Sequence, residues 1–429
     1  MRCWIKLLLL TLVLAVAAVL LPGVNTEAAT FTVTNTDDYS STDTVIDYSL
    51  RWAVNHASAG DTIAFSTALS TPVTITLKEP LAINQSVIID GGNNIIYPVT
   101  INGNYSYRAF VVTNASLTLN NLTLYQCKAP DSSAGGAIYF TGSASSDNLL
   151  MNDCKIIGSK ADNGGGIYCD GAASATFNNC IFDTNTDLSG SGGGLYITNS
   201  ASAVLSGCSF NSNHATKYGG AICCMNSALN IGNCNFSDNS TQEGHGGAIY
   251  ADAEAGNTRI LALSECSFRN SAAKDCGGNL YVSNYNTFTA DCCLFMSSTA
   301  NAKGGSIYTD SVVTSTLTRC TFDGNAAVQE GGGLYANCPG TITLTNCTFK
   351  GNQGGSNANI YGGAAYINDA THSGTGERFS VTNCTFVDNT AGDIDGMYMD
   401  YIDQVSLSNS ILWDEVPWGS INVSGFSFG

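Results

Sequence analysis

Charge, histidine and long apolar runs are all scarce in this sequence, and each scarcity closes off a class of protein. Only 12% of the 429 residues are charged, too few for the ion-paired surfaces of long helices. Lysine and arginine number 16 against 34 acidic residues, a balance that disfavours nucleic acid and anionic membranes as partners. With four histidines and no Cys-x-x-Cys pair, neither a metal-ligand spacing nor a Ser/His/Asp arrangement stands out, and no cofactor motif is found. The one long apolar run covers residues 7–21. It follows Arg2 and Lys6, stops at Pro22-Gly23 and leads to Ala28 and Ala29. At about fifteen residues it is short for a membrane span and reads as a signal peptide, residues 1–28, so export is expected and the mature chain has no membrane span. Removing residues 1–28 leaves 14 basic and 33 acidic residues, a charge of −19. That acidity is compatible with calcium, basic proteins or neutral glycans.

What is abundant is glycine, 46 residues, and a repeat. Asn346-Cys347-Thr348-Phe349-Lys350-Gly351-Asn352 has near-copies at Asn383–Asn389, Arg319–Asn325 and Asn233–Asn239. Aligning on apolar-x-x-Cys-x-Phe gives eleven units, from Leu119/Leu122/Leu124 to Leu407/Ser410/Leu412. The nine cysteines from Cys154 to Cys384 are separated by 26, 28, 26, 32, 27, 27, 27 and 37 residues. A period near 27 without helical patterning predicts an all-β solenoid, a right-handed parallel β-helix with three short strands per coil. Within Cys-x-Phe the outer two residues point inward and the Ser or Thr between them points to water. The residue before the cysteine, as in Asp153, Asn179 and Asn346, and Asn121 before Leu122 in the first unit, is of a type that tolerates a left-handed corner. The Gly-Gly of Gly135-Gly136, Gly219-Gly220 and Gly304-Gly305 marks a second bend.

The chain accordingly divides into a signal peptide (1–28), an N-terminal cap with irregular coils (29–108), regular repeats (109–413) and a C-terminal tail (414–429). In the cap, Ser49 is placed to start a helix through Ala57, with Leu50, Ala53, Val54 and Ala57 at helical spacing. An amphipathic helix there would close the open end of the stack. The long intervals carry extra residues at 251–257, 354–359 and 369–378, where added loops would carry function most readily.

Gly-Gly-Ala-Ile (135–138, 219–222, 246–249) alternating with Phe-x-x-Asn (182–185, 210–213, 236–239, 322–325, 349–352, 386–389) resembles the repeat of chlamydial polymorphic outer membrane proteins and related right-handed β-helix proteins. The resemblance covers roughly residues 110–413. It implies a surface-exposed or secreted β-helix, often a passenger involved in adhesion. Those proteins continue into a membrane β-barrel, whereas this sequence stops at Ser427-Phe428-Gly429, so a secreted relative or truncated passenger is expected.

Two ladders are candidates for more than scaffolding. The nine repeat cysteines fall at one inward position, stacked about 4.8 Å apart. Parallel side chains on neighbouring strands are poorly placed for disulfides, so buried thiols are expected over bridges or metal binding. Cys127, Cys276 and Cys338, on turns or loops, are better placed to bridge. After Gly-Gly the order small, aliphatic, Tyr, apolar turns the tyrosine outward. Tyr139, Tyr168, Tyr196, Tyr250, Tyr281, Tyr308, Tyr335, Tyr366 and Tyr398 then form a stripe interrupted at Cys223. It either stabilises the solenoid by ring stacking or binds a glycan or a surface protein. A catalytic alternative is a polysaccharide lyase or glycoside hydrolase of the pectin-lyase-like class. Gly244-His245-Gly246 and Asn35-Thr36-Asp37 match two polygalacturonase motifs superficially. They lie about 200 residues apart and the accompanying Arg-Ile-Lys is absent, so no catalytic residue is assigned.

Overall fold

In the computed structural model, residues 28–424 are described apart from 70–71, 93–98, 143–145, 255, 257, 338–339, 369–377, 401, 403 and 414–420. The signal peptide, Cys338 and most of the 369–378 insertion lie outside the described residues.

The chain coils into a parallel β-helix. Three sheets of 14, 13 and 13 strands run along it, joined by a narrower one of seven two-residue strands. One coil shows the design. Thr314–Thr318 lies on the first sheet, Thr321–Asp323 on the second, Ala326–Ala327 on the narrow fourth and Leu334–Asn337 on the third. Each pairs in parallel with its counterpart one coil on, for example Phe322 with Phe349 and Tyr335 with Tyr366. The predicted three strands per coil are present, and the short fourth is what Phe-x-x-Asn adds.

The corner before each cysteine is left-handed, with φ of 53° at Asn179, 55° at Asn346 and 55° at Asn383. The same conformation is imposed on Glu265, Cys292 and Arg319 (φ 54°, 56° and 55°), residue types that do not prefer it. There the stacked coils override local preference. Cys and Phe then fill the core. The ladder cysteines are at most 2% exposed, and the phenylalanines stack from Phe182 to Phe386 with centroids 4.4–5.1 Å apart. Burying each ring contributes roughly 2–3 kcal/mol. Burial pushes the Cys154 thiol up to about 12, and the thiols donate to carbonyls, Cys347 to Leu317 O at 3.4 Å for instance. Cys127 and Cys276 are free thiols, against the expectation that they bridge. Cys127 lies inside the core, its thiol turned to the Tyr125 carbonyl.

The asparagines of Phe-x-x-Asn are fully buried and form a second internal ladder that sequence reading left without a role. Asn325 donates to Phe295 O and to Asn352 Oδ1, and Asn352 donates to Phe322 O and to Asn389 Oδ1, all at 2.9–3.0 Å. Asn185, Asn213 and Asn239 repeat the pattern. Each amide thus satisfies backbone at a turn that cannot close its own hydrogen bonds.

At the N-terminal end the helix Leu50–His56 forms as expected, with Ser49 Oγ accepting from Trp52 N. Leu50 and Ala53 are buried in the core. Arg51, also buried, donates twice to Asp38 and to the carbonyls of Glu79 and Pro80. At the other end Ile421–Ser424 pairs with Met397–Asp400 and continues the third sheet. Among the described residues no helix is long and apolar enough to cross a membrane.

Candidate functional site: the tyrosine face and its neighbouring column

The third sheet carries the tyrosines because Gly-Gly fixes their register. Gly304 has φ 65°, and a side chain at Gly305 would run into the Gly332 carbonyl on the next coil. Coils therefore approach backbone to backbone at this bend, and the following Ile307-Tyr308-Thr309 alternates in, out, in.

All nine predicted tyrosines stand in one column, outside the core as expected, but they do not present free ring faces. Tyr139, Tyr168 and Tyr196 stack at 5.4 and 5.2 Å. A second stack joins Tyr250, Tyr281, Tyr308, Tyr335, Tyr366 and Tyr398 at 5.0–5.1 Å. The rings cover one another, so most are half-buried and Tyr250 and Tyr335 are buried. Ring edges and hydroxyls form the surface. Burial pushes the Tyr168 hydroxyl up to about 12 and raises those of Tyr281, Tyr308 and Tyr366 too, so these are neutral donors and acceptors. Two residues beyond each tyrosine runs a polar row including Asp170, Thr198, Asp252, Asp310, Asn337 and Asn368. Here Asn337 donates to Asp310 at 2.9 Å and Asn368 to Asn337 at 3.2 Å.

The interruption at Cys223 is filled from an unexpected place. Tyr218, immediately before Gly219, lays its ring on Tyr250 at 4.5 Å. Its position in the repeat recurs as His245, Cys276, Lys303, Glu330 and Tyr361, each preceding a glycine. The carbonyl of each accepts from the glycine N–H one coil earlier, as Gly219 N to His245 O (3.1 Å), Gly246 N to Cys276 O (3.0 Å) and Gly277 N to Lys303 O (3.0 Å). These residues therefore form a second column flanking the tyrosines. It is chemically varied where everything around it is uniform.

Its members interact. The His245 ring lies between Tyr218 (5.7 Å, 3° between planes) and Tyr281 (4.6 Å, 30°). Nδ1 of His245 is 3.6 Å from Asp275 Oδ2 and accepts from Cys276 N at 3.3 Å. Burial holds the imidazole below its ordinary value, against the raising effect of Asp275. The Cys276 thiol donates to Asp275 Oδ1 at 3.4 Å, and burial pushes it up to about 12. Lys303 Nζ donates to the Tyr335 hydroxyl at 3.1 Å and pairs with Glu330 at 3.4 Å. The sequence alone gives His245 no site, because its match to a polygalacturonase motif stands about 200 residues from Asn35-Thr36-Asp37 and lacks Arg-Ile-Lys. The signal available was the varied residue ahead of each Gly-Gly.

Comparison with known proteins agrees with this architecture. The family model described as right handed beta helix region matches residues 85–262. The molecule is a right-handed β-helix repeat protein. Among solved structures, that of the periplasmic alginate epimerase AlgG has a TM-score of 0.52 at 10% identity, covering 86% of this chain and 83% of that one. Tailspike protein 3 of bacteriophage CBA120 has a TM-score of 0.42 at 11% identity, covering 90% of this chain and 60% of the tailspike. At 10% identity the likeness to AlgG shows the fold alone. No curated protein sequence matches the chain.

Proposed function

We propose that this is an exported, non-enzymatic β-helix protein that binds an extended neutral glycan along the third sheet, an adhesin-like role. The observation that carries this reading is the column of tyrosine edges and hydroxyls beside a hydrogen-bonding Asp/Asn row, repeated at the coil spacing. A chain of sugars offers hydroxyls and apolar C–H faces at regular intervals, and this surface offers complementary groups at regular intervals. The aspartates in the row and the overall charge of −18 would repel an anionic polymer such as alginate, so neutral glycan is the better match. The resemblance to the chlamydial repeats and the signal-like N-terminus support the surface or secreted setting. A surface protein presenting such a glycan would be held the same way.

The test replaces Tyr281, Tyr308 and Tyr366 together by phenylalanine, which keeps the ring stack and removes three hydroxyls. On an array of neutral and anionic glycans the native chain should bind neutral polymers. The triple variant should bind at least about tenfold more weakly with unchanged circular dichroism, from the loss of about 1 kcal/mol or less per hydroxyl. Unchanged binding by the variant would remove the tyrosine face from the reading, and turnover of any bound glycan would favour the lyase or hydrolase alternative.

A further inference from the structure

We propose that His245, Asp275 and Cys276 form a binding site for a divalent transition-metal ion of the zinc class. This site is independent of the glycan reading, since it uses the flanking column and not the tyrosine hydroxyls.

The three side chains offer an imidazole nitrogen, a carboxylate oxygen and a sulfur, and these donor atoms lie within 4.8 Å of one another. In a tetrahedral shell with the usual zinc–ligand lengths, neighbouring donors are roughly 3.3–3.8 Å apart. His245 Nδ1 lies 3.6 Å from Asp275 Oδ2 and Cys276 Sγ lies 3.4 Å from Asp275 Oδ1, so the carboxylate reaches both partners, one through each oxygen. With one donor atom from each residue within 4.8 Å of the others, closing a shell around one ion takes shifts on the order of 1 Å. Nitrogen and sulfur donors select against calcium and magnesium, which require six or more oxygens or an octahedral oxygen shell.

Two features of the surroundings favour a ligand site over a chance cluster. The His245 ring is clamped between Tyr218 and Tyr281, which fixes the direction of its Nδ1 lone pair, and an ion would take that lone pair in exchange for the bond it accepts from Cys276 N. The neighbouring cation Lys303 is engaged by Tyr335 and Glu330. Access is from solvent. The side chain of Asp275 is 46% exposed and that of His245 24% exposed, while the sulfur lies at the back. Three protein ligands leave the fourth position to water, the arrangement of an open rather than a closed zinc site.

The experiment is a cobalt(II) titration of tag-free, metal-free protein, followed by absorption. One equivalent should bind, with a near-ultraviolet thiolate-to-cobalt charge-transfer band and intense visible bands of a four-coordinate ion. Zinc should displace it and calcium should not. Cys276→Ser should abolish the charge-transfer band, and His245→Gln and Asp275→Asn should each weaken binding at least about tenfold. Cys292→Ser, which removes an exposed thiol at the corner before the ladder cysteine Cys293, should change nothing. The rise in melting temperature that zinc gives the native chain should be missing from Cys276→Ser, a readout that holds even if one variant folds less well. Absence of saturable binding, a charge-transfer band that survives Cys276→Ser, or one lost in Cys292→Ser would each overturn the proposal.

Discussion

At the scale of single residues, the solenoid holds polar groups where the sequence suggests only turns. Asp187, in the short strand Thr186–Asp187, is 1% exposed. Its carboxylate accepts from Gly190 N at 2.8 Å and Thr216 N at 3.0 Å, yet burial outweighs these bonds and pushes its pKa up to about 6. A carboxyl whose folded value lies above its unfolded value contributes its full stability below about pH 4 and loses it as pH rises through about 6. Asp187→Asn keeps an oxygen for the two amides and removes the charge. Urea unfolding from pH 4 to 7 should therefore show the variant gaining stability relative to the native chain as pH rises, by up to about 3 kcal/mol. A difference that stays flat across that window would contradict the assignment.

At the scale of elements, the columns are the working units, and each is held by a different interaction. Phenylalanines stack in the core, tyrosines stack outside it, and asparagines bridge one coil to the next. Asn352 shows how dependent such a column is on each member. Its Nδ2 serves Phe322 O and Asn389 Oδ1, while its Oδ1 accepts from Asn325 N and Nδ2. Asn352→Ala would take the side-chain acceptor from the Asn325 amide and a side-chain donor from the Phe322 carbonyl in a dry interior. A loss of about 3–5 kcal/mol is expected by urea titration, against about 0.5 kcal/mol or less for an exposed corner residue such as Asn346→Gly. Serine stands in the asparagine position at Ser159, Ser271 and Ser298, and at Ser298 the Oγ donates to Asn279 at 2.7 Å. There the column is repaired by a residue from the Gly-Gly segment.

At the scale of the whole molecule, stability is a sum of coils and of the interfaces between them. The Gly-Gly bend is one of the close ones. Gly305→Ala would force a methyl into the Gly332 carbonyl and the Ala326 backbone, neither of which can yield without separating two coils. Uncoupled halves should then unfold as two transitions in urea, read by far-ultraviolet circular dichroism, where the native chain gives fewer. A single transition shifted only slightly would mean that the stack absorbs the strain locally.

The repeat itself determined the architecture. A 27-residue period, inward Cys and Phe, glycine at the bend and left-handed Asn at the corner are local consequences of residue type, and each is legible without coordinates. Adjacency between coils was decided only by the tertiary structure, because residues that touch along the solenoid axis are about one period apart in sequence. Lengthened coils shift that offset. Hence the asparagines and the residues ahead of Gly-Gly recur visibly at the repeat period, but the burial and bonding of the former, the ring of Tyr218 filling the break at Cys223 and the meeting of His245 with Asp275 and Cys276 did not follow from spacing. The tyrosine stripe was legible as a column. Its packing was not, since ring-to-ring stacking at 5 Å turns an expected row of open aromatic faces into a row of edges and hydroxyls.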